Sequence, residues 1–154
     1  MSSVASLTLR AATEADAHLI RDLLERSGLP TSDLSTARPD FVIATSAGQI
    51  IGIGALEHFG NVALLRSVAV EAQRRGCGTG RLIVEELERR ARIAGIDELI
   101  LLTLTARDFF EQLGYRTKER GQVPRAMLAS AEFRSLCPAS AFCMAKVLAP
   151  KSAV

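Results

Sequence analysis

The sequence lacks tryptophan and contains one tyrosine, two histidines and three cysteines. Three cysteines are an odd number, and their spacing matches no disulfide or zinc framework. These residues favour a reducing compartment, which we take to be the cytoplasm, and they predict no metal site. No apolar stretch approaches the roughly 18 residues that a membrane span requires. The opening MSSVASLTLR also has no secretory-signal pattern, so we expect no membrane partner.

An excess of one charge sign is missing too. The 19 basic and 17 acidic residues leave a formal net charge of +2, which is too small to argue for nucleic-acid binding. The length of 154 residues suits one domain, which we predict to span 1–154. Hydrophobic residues make up 48% of the chain, which is enough to build a substantial core.

The first half of the chain predicts one helix and four strands. SLTLRAAT alternates like a strand, and the Thr13/Asp16 pair predicts the start of a helix that ends at Gly28. A loop, with at most one helical turn, covers 29–39. Three antiparallel strands are then predicted at 41–46, 50–58 and 62–70, with turns at Ala47-Gly48 and Gly60-Asn61.

The second half begins with an amphipathic helix that ends at Gly95. Its apolar stripe is Leu82, Ile83, Leu87 and Ala91, while Glu85, Glu86 and Glu88 interleave with arginines and predict a solvated face. ELILLTL predicts a central buried strand. ARDFFEQLG predicts a helix, YRTKE a strand, VPRAMLASAEFRSL mostly helix and SAFCMAKVL a final strand. This order predicts a single α/β domain with a mixed sheet.

Three glycines, Gly76, Gly78 and Gly80, stand between a strand and that amphipathic helix, with Arg75 and Arg81 beside them. A helix N-terminus has unpaired amide hydrogens and partial positive charge, and glycine lets an anion approach the backbone closely. The pattern favours a phosphate-bearing ligand. A tight turn without a ligand is the alternative, although one glycine would normally suffice for it. The spacing matches neither a P-loop, because no lysine follows, nor a Rossmann loop, because Arg81 replaces the third glycine.

The stretch Arg75-Gly76-Cys77-Gly78-Thr79-Gly80 resembles the Arg/Gln-x-x-Gly-x-Gly/Ala pyrophosphate loop of the GNAT N-acetyltransferase superfamily. The resemblance covers nearly the whole chain. It implies the GNAT fold, a mixed six- to seven-stranded sheet with helices on both faces, and acetyl-CoA as co-substrate without a metal. LRSVAV, LLTLTARDFFEQLGY and LCPASAFCMAK are similar to the arsenic-resistance N-acetyltransferases, which in turn resemble the acetyltransferase domain of N-acetylglutamate synthases.

The resemblance also implies the residues that bind acetyl-CoA, in an opening where two parallel strands separate. The pantetheine arm would pair with Val68, Ala69 and Val70, and amides of Gly76, Cys77, Gly78, Thr79, Gly80 and Arg81 would hold the diphosphate, with Arg75 beside them. Thr103 is a candidate for a hydrogen bond to pantetheine, and Phe109 for contact with it. As a β-branched residue, Thr103 equally suits packing at a strand end.

Two proton transfers need residues. Glu57 and His58 are the candidate general bases, each with an exposed surface residue as its alternative. Many family members protonate the leaving thiolate with a tyrosine, but the aligned position here is Phe110. Tyr115 falls where the family has a packing aromatic. Thr105, Ser140 or water remain as donors to the thiolate.

Arg66 interrupts an apolar strand and suits the carboxylate of an amino-acid acceptor; an ion pair to an internal acid is the alternative. Ser67 is a further substrate candidate. Arg125 and Arg134 are weaker ones, each with an exposed surface residue as its alternative. Cys137 and Cys143 are better explained as small packing residues than as arsenic ligands.

The sequence therefore predicts an N-acetyltransferase for a small carboxylate-bearing amine, either an amino acid or an arsenic-containing analogue. Protein or peptide acetylation and a non-catalytic acyl-CoA sensor are the alternatives. Dimers are common in the family, so a homodimer that meets at the last strand is expected by analogy.

Overall fold

The computed structural model describes residues 6–136 and 140–148. Within them the chain forms an α/β fold whose strands make one mixed sheet of seven strands in the order β1-β2-β3-β4-β5-β7-β6. The strands are β1 Leu7–Ala11, β2 Asp40–Ser46, β3 Gln49–Phe59, β4 Val62–Val70, β5 Glu98–Thr103, β6 Arg116–Thr117 and β7 Phe142–Val147. The α-helices are α1 Ala17–Arg26, α2 Leu34–Ala37, α3 Thr79–Ile93, α4 Arg107–Gln112 and α5 Arg125–Leu128, and a π-helical turn spans Glu132–Leu136.

The described residues fall into two compact units. One lies within Met1–Ala55 and Ser67–Leu87, and the other within Leu56–Arg66 and Glu88–Val154. The boundaries fall inside β3, β4 and α3 rather than in linkers. The prediction of one domain over 1–154 stays a prediction.

The first unit is built on the antiparallel pair β1–β2, from Leu7↔Ser46 to Ala11↔Val42. Its core joins α1 to the strands through Ile20, Leu23, Leu24, Ile43, Ile53 and Ala69. As predicted, Gly28 lies directly after the C-cap of α1, and it has a φ of 71°. The N–H of Leu29 donates to the carbonyl of Leu24 at 2.9 Å, which closes the helix with the bond typical of a left-handed cap.

The second unit contains the parallel pair β4–β5, from Val62↔Glu98 to Leu64↔Ile100. Strand β7 pairs antiparallel with β5 along its whole length, from Glu98↔Val147 to Thr103↔Phe142. The predicted central strand is confirmed, since Leu99, Ile100 and Leu101 are almost wholly buried. The core of this unit is Val62, Leu64, Ile100, Val123, Met127, Phe133, Cys143 and Ala145.

Several boundaries and faces differ from the prediction. Strand β6 has two residues rather than five, and β5 stops at Thr103, so Leu104 is 53% exposed. On α3, Leu82 is exposed while Val84 is fully buried. The buried stripe on α3 therefore runs through Ile83, Val84, Leu87 and Ala91. Ile83, Leu87 and Ala91 form one i, i+4, i+8 row, and Val84 widens this row on the side opposite to Leu82. No helix among the described residues is long and apolar enough to cross a membrane.

Candidate active site

The glycine loop between β4 and α3 has the backbone that the sequence predicted. Gly76 has a φ of 81° and Gly78 a φ of 84°, a region that L side chains rarely adopt. A Cβ at either position would meet no atom within 4 Å. Glycine is therefore favoured at these two positions by the positive φ of the backbone and not by a steric clash of a side chain. Gly80 has no positive φ and lies in the first turn of α3, which begins at Thr79.

The loop contains a row of main-chain donors with no main-chain acceptor in the part of the chain that the structure describes. The N–H of Leu82 donates to the carbonyl of Gly78 at 3.1 Å. The N–H groups from Gly76 to Arg81 have no hydrogen bond to another main-chain group within the ranges 6–136 and 140–148. Such donors at a helix N-terminus, combined with the helix dipole, form an anion-binding site.

Two arginines flank these donors. The Nε of Arg75 donates to the carbonyl of Val70 at 3.2 Å, which holds the arginine against the end of β4. Arg81 lies 3.5 Å from Glu85 one turn along α3, and both side chains are more than half exposed. An exposed ion pair of this kind is weak, so Glu85 does not prevent the Arg81 guanidinium from contacting an anion at the loop.

Two glycines of β3 set the position of α3, and sequence reasoning missed their role. A Cβ on Gly52 would lie 2.7 Å from Ile83 Cδ1 and 3.3 Å from Thr79 Cγ2, and one on Gly54 would lie 2.7 Å from Ile83 Cγ2. The strand therefore accepts the helix only because these residues lack side chains. The available signal was the spacing Gly-x-Gly, which places both glycines on one face of a strand.

Strand β4 carries the residues expected to pair with pantetheine. Ala69 is buried, and Val68 and Val70 are half-buried. Ser67 is buried and has a φ of 59°, which is uncommon for a residue other than glycine and marks a local irregularity in the strand. In the second unit, β4 pairs with β5 from Val62↔Glu98 to Leu64↔Ile100, and β5 continues to Thr103.

Arg66, at the second unit's end of β4, is in an ion-pair cluster. Its side chain is 0% exposed, and its Nη1 donates to Glu57 Oε1 at 3.0 Å. Its Nε lies 3.9 Å from Glu132 Oε1, at the start of the π-helical turn. The partner of Arg66 could be an acceptor carboxylate or an internal acid, and the structure shows ion pairs to internal acids. Glu132 was not among the predicted residues, and nothing in its local sequence marked it.

The other candidate residues of the second unit are placed individually. The hydroxyl oxygen of Thr103 accepts the N–H of Ala106, the residue directly before α4, at 2.9 Å. Phe109 is half-buried with its ring edge-on to Phe110, 5.0 Å between centroids. The exposed candidates are His58, Thr105, Arg125, Arg134 and Ser140.

The one tyrosine is committed to a buried polar network. Tyr115 is 0% exposed, packs edge-on against Phe110, and donates its hydroxyl to Glu88 at 2.8 Å. Lys146 donates to the same carboxylate at 3.1 Å and to the carbonyl of Leu113 at 2.8 Å. Burial, followed by the charge of Glu88, raises the pKa of Tyr115. The packing role predicted for Tyr115 is confirmed, whereas the solvated position predicted for Glu88 is wrong, because these partners hold it inside.

The two described cysteines lie in different environments. Cys77 is exposed and Cys143 is buried, and burial raises the pKa of the Cys143 thiol. Cys137 lies outside the described residues. Within those residues, no group of three His, Cys, Asp or Glu side chains could hold a metal ion.

Two solved structures with a similar architecture contain coenzyme A. N-acetylglutamate synthase from Neisseria gonorrhoeae, complexed with coenzyme A and N-acetyl-glutamate, matches with a TM-score of 0.81 at 21% identity, over 96% of this chain and 36% of that one. A protein from Mycobacterium tuberculosis in complex with CoA matches with a TM-score of 0.79 at 26% identity, over 92% and 99% of the two chains. The chain thus shares its fold with these coenzyme A-binding proteins.

A family profile for the acetyltransferase (GNAT) domain matches residues 37–117, and this chain belongs to that family. An uncharacterised N-acetyltransferase of Chlorobaculum tepidum is 37% identical over 87 residues, 56% of each chain. The amino-acid acetyltransferase of Pasteurella multocida is 27% identical over 128 residues, 77% of this chain and 29% of that one. The chain thus spans about half or less of these curated relatives. The predicted GNAT family and fold are confirmed, whereas the narrower resemblance to the arsenic-resistance N-acetyltransferases stays a prediction.

Proposed function

We propose that the protein transfers the acetyl group of acetyl-CoA to the amine of a small carboxylate-bearing acceptor. One observation supports this above the others. The main-chain N–H groups from Gly76 to Arg81 have no main-chain acceptor in the described part of the chain, and two positive-φ glycines hold the loop that presents them. A diphosphate satisfies several such donors at once, and acetyl-CoA combines a diphosphate with a reactive thioester.

The pantetheine arm is proposed to bind as an added strand along Val68–Val70. The irregularity at Ser67 interrupts the regular strand geometry directly before these residues. This supports a change in the direction of their backbone groups there. Contacts from Thr103 and Phe109 remain part of the proposal. The Thr103 oxygen already accepts from Ala106, so only its hydroxyl hydrogen is left to donate.

The chemical step is direct attack by the acceptor nitrogen on the thioester carbonyl carbon. The C–N bond forms, the C–S bond breaks, and the nitrogen loses a proton to a base. An amine with a pKa of about 10.4 costs roughly 4–5 kcal/mol to deprotonate at pH 7, and one near 8 costs about 1 kcal/mol. Glu57 is the proposed base, with His58 as the exposed alternative.

The thiolate of CoA takes its proton from a different source than in tyrosine-dependent members. Tyr115 is buried on Glu88, and Phe110 stands at the aligned helix position. The exposed hydroxyls of Thr105 and Ser140, or water, are the proposed donors.

The proposed class of acceptor is supported by the names and ligands of similar proteins and by the arginine side chains that could bind a carboxylate. Relatives named amino-acid acetyltransferase and structures holding N-acetyl-glutamate or L-arginine support an amino acid. Because Arg66 is taken up by internal acids, the exposed Arg125 is the better candidate for the acceptor's carboxylate. An arsenic-containing glutamate analogue belongs to the same chemical class and is the narrower form of the proposal.

The test is release of CoA thiol from acetyl-CoA in the presence of separate amines. The panel contains glutamate, other amino acids, an arsenic-containing analogue and short peptides, with matched amides that lack the α-carboxylate. We expect turnover with at least one amino acid and much less with its amide. Turnover of peptides alone would instead support protein acetylation. Failure of CoA to bind in calorimetry would overturn the proposal.

A sensor that binds acyl-CoA without turnover is the second candidate. The observation that favours it is the absence of a tyrosine at Phe110, together with the burial of Tyr115. Tight binding of acetyl-CoA with no turnover on any amine would select this function.

A further inference from the structure

The cluster around Arg66 joins three parts of the second unit. Arg66 lies on β4, Glu57 near the end of β3, and Glu132 at the start of the π-helical turn. The exposed fractions of the three side chains are 0%, 13% and 6%. A buried guanidinium placed between two carboxylates orients both, because its donors form a rigid planar fork.

This geometry disfavours direct binding of an acceptor carboxylate by Arg66. An incoming carboxylate would have to displace Glu57 or Glu132 from the guanidinium. The displaced acid would then stay largely buried without its charge partner, which is more costly than leaving the ion pair intact. Pairing of Arg66 with the internal carboxylates is therefore more favourable than pairing with the carboxylate of an acceptor.

Glu57, by contrast, is held at one oxygen and is partly exposed. Its Oε1 accepts from Arg66 at 3.0 Å, and 13% of its side chain remains exposed. The second carboxylate oxygen, Oε2, is the one that this hydrogen bond does not use.

We propose that Arg66 is a positioning residue: it holds Glu57 so that Oε2 receives the proton of the acceptor's amine. This inference rests on the proposed acetyltransferase function and revises the role of Arg66 within it. The amine binds at Glu57, the proton moves from nitrogen to Oε2 as the C–N bond forms, and Arg66 touches neither substrate. Its effect on the reaction passes through the carboxylate.

The test uses Glu57→Gln, Arg66→Lys and the double variant, with Glu132→Gln as the matched control for the other acid on the same guanidinium. Glutamine keeps the shape and one acceptor oxygen, and lysine keeps the charge but not the fork. We expect Glu57→Gln to lower kcat at pH 7 by about a hundredfold, which is typical of a lost general base. The loss should shrink as pH rises towards 9.5, because the acceptor then sheds its proton in solution.

Arg66→Lys should show the same pH-dependent loss in kcat at a smaller size, with the KM of the amino acid and of its amide changed equally. The double variant should be no worse than Glu57→Gln alone, since both substitutions act on one carboxylate. Glu132→Gln should lose less kcat than Glu57→Gln, because Glu132 takes no proton from the amine. Coenzyme A affinity by calorimetry reports that each variant is folded.

Three results would overturn the inference while leaving the acetyltransferase intact. They are a loss in Glu57→Gln that is equal at every pH, an Arg66→Lys effect confined to the KM of carboxylate-bearing acceptors, or multiplicative losses in the double variant. If the unmodified protein binds CoA but acetylates no amine, the proposed function itself fails and the inference fails with it.

Discussion

The hydroxyl of Tyr115 lies 2.8 Å from Glu88 Oε2, and both residues are buried. Burial and the neighbouring carboxylate raise the pKa of Tyr115, because both disfavour the phenolate. The folded pKa then exceeds the unfolded value of about 10. The resulting stabilisation is complete below pH 10 and declines as pH rises above it, since the folded state holds its proton longer.

We predict that tyrosinate absorbance in the near ultraviolet appears only when the protein unfolds. Tyr115 is the single tyrosine and tryptophan is absent, so the signal has one source. Tyr115→Phe should cost about 1–3 kcal/mol at neutral pH, because Glu88 loses a donor. It should also flatten the decline of the unfolding free energy above pH 10. Normal titration of the phenol in the folded protein would contradict the buried contact.

Gly54→Ala should destabilise the protein by about 1–3 kcal/mol through overpacking. The new Cβ would lie 2.7 Å from Ile83 Cγ2 and 2.9 Å from Leu87 Cδ1, and both side chains are fully buried. Gly121→Ala is the matched control, since a Cβ there meets no atom within 4 Å and its φ is not positive. Chemical denaturation measures both variants. Equal stabilities would mean that α3 is not packed on β3 in this way.

Gly78→Ala should weaken coenzyme A binding about tenfold, whereas Gly60→Ala should not change it. Both glycines have a positive φ, 84° and 70°, with open space around them, so alanine costs each about 1–2 kcal/mol of backbone strain. Only Gly78 lies in the loop whose N–H groups would face the diphosphate. Calorimetric titration with CoA, together with unfolding curves, separates lost binding from lost stability. Equal affinities in the two variants would contradict the loop's role.

Asp16→Asn should lower stability at neutral pH by about 1–3 kcal/mol. The carboxylate of Asp16 accepts from Arg10 at 2.8 and 2.9 Å and from the N–H of Thr13 at 2.7 Å. The hydrogen bonds from Arg10, and then the one from Thr13, lower the pKa of Asp16. A lowered folded pKa means that the stabilisation is present above the unfolded value of about 3.9 and is lost as pH falls below it.

The difference in unfolding free energy between the unmodified protein and Asp16→Asn should therefore narrow below about pH 4. Asp22→Asn is the control, because its ion pair with Arg26 is half exposed and such pairs contribute little. A gap for Asp16→Asn that stays constant from pH 7 to pH 3 would show that its charge is not the cause.

Cys77 should be alkylated rapidly in the folded protein, whereas Cys143 should react only on unfolding. Cys77 is exposed and Cys143 buried, and the raised pKa of Cys143 further limits its thiolate. A Cys137→Ser background leaves these two thiols to be counted by mass spectrometry. Coenzyme A should slow modification of Cys77 if the loop holds the diphosphate. Unchanged modification at saturating CoA would place the nucleotide elsewhere.

Features that depend on neighbours in the chain were predictable from the sequence. The predicted ends of β2, β3 and β4 differ from the observed ends by at most one residue. The reason is that turns at Ala47-Gly48 and Gly60-Asn61 divide an apolar run into three strands. The cap at Gly28 and the glycine loop before α3 followed from positive φ, which is a local demand on residue type. These local signals determined the element order, and the loop motif then determined the family.

Only the tertiary structure decided which polar groups are inside. Glu88 reads as one more acid on a charged helix, and its burial depends on Tyr115 and Lys146, which are 27 and 58 residues away in sequence. From the sequence, Arg66 could bind either the carboxylate of an acceptor or an internal acid. In the structure it pairs with the internal acids Glu57 and Glu132. The sequence by itself determined where strands, helices and the anion loop occur, since those follow from periodicity and backbone conformation. The charge partners came from tertiary structure, because the energy of a buried charge depends on groups that only folding brings within a few ångströms.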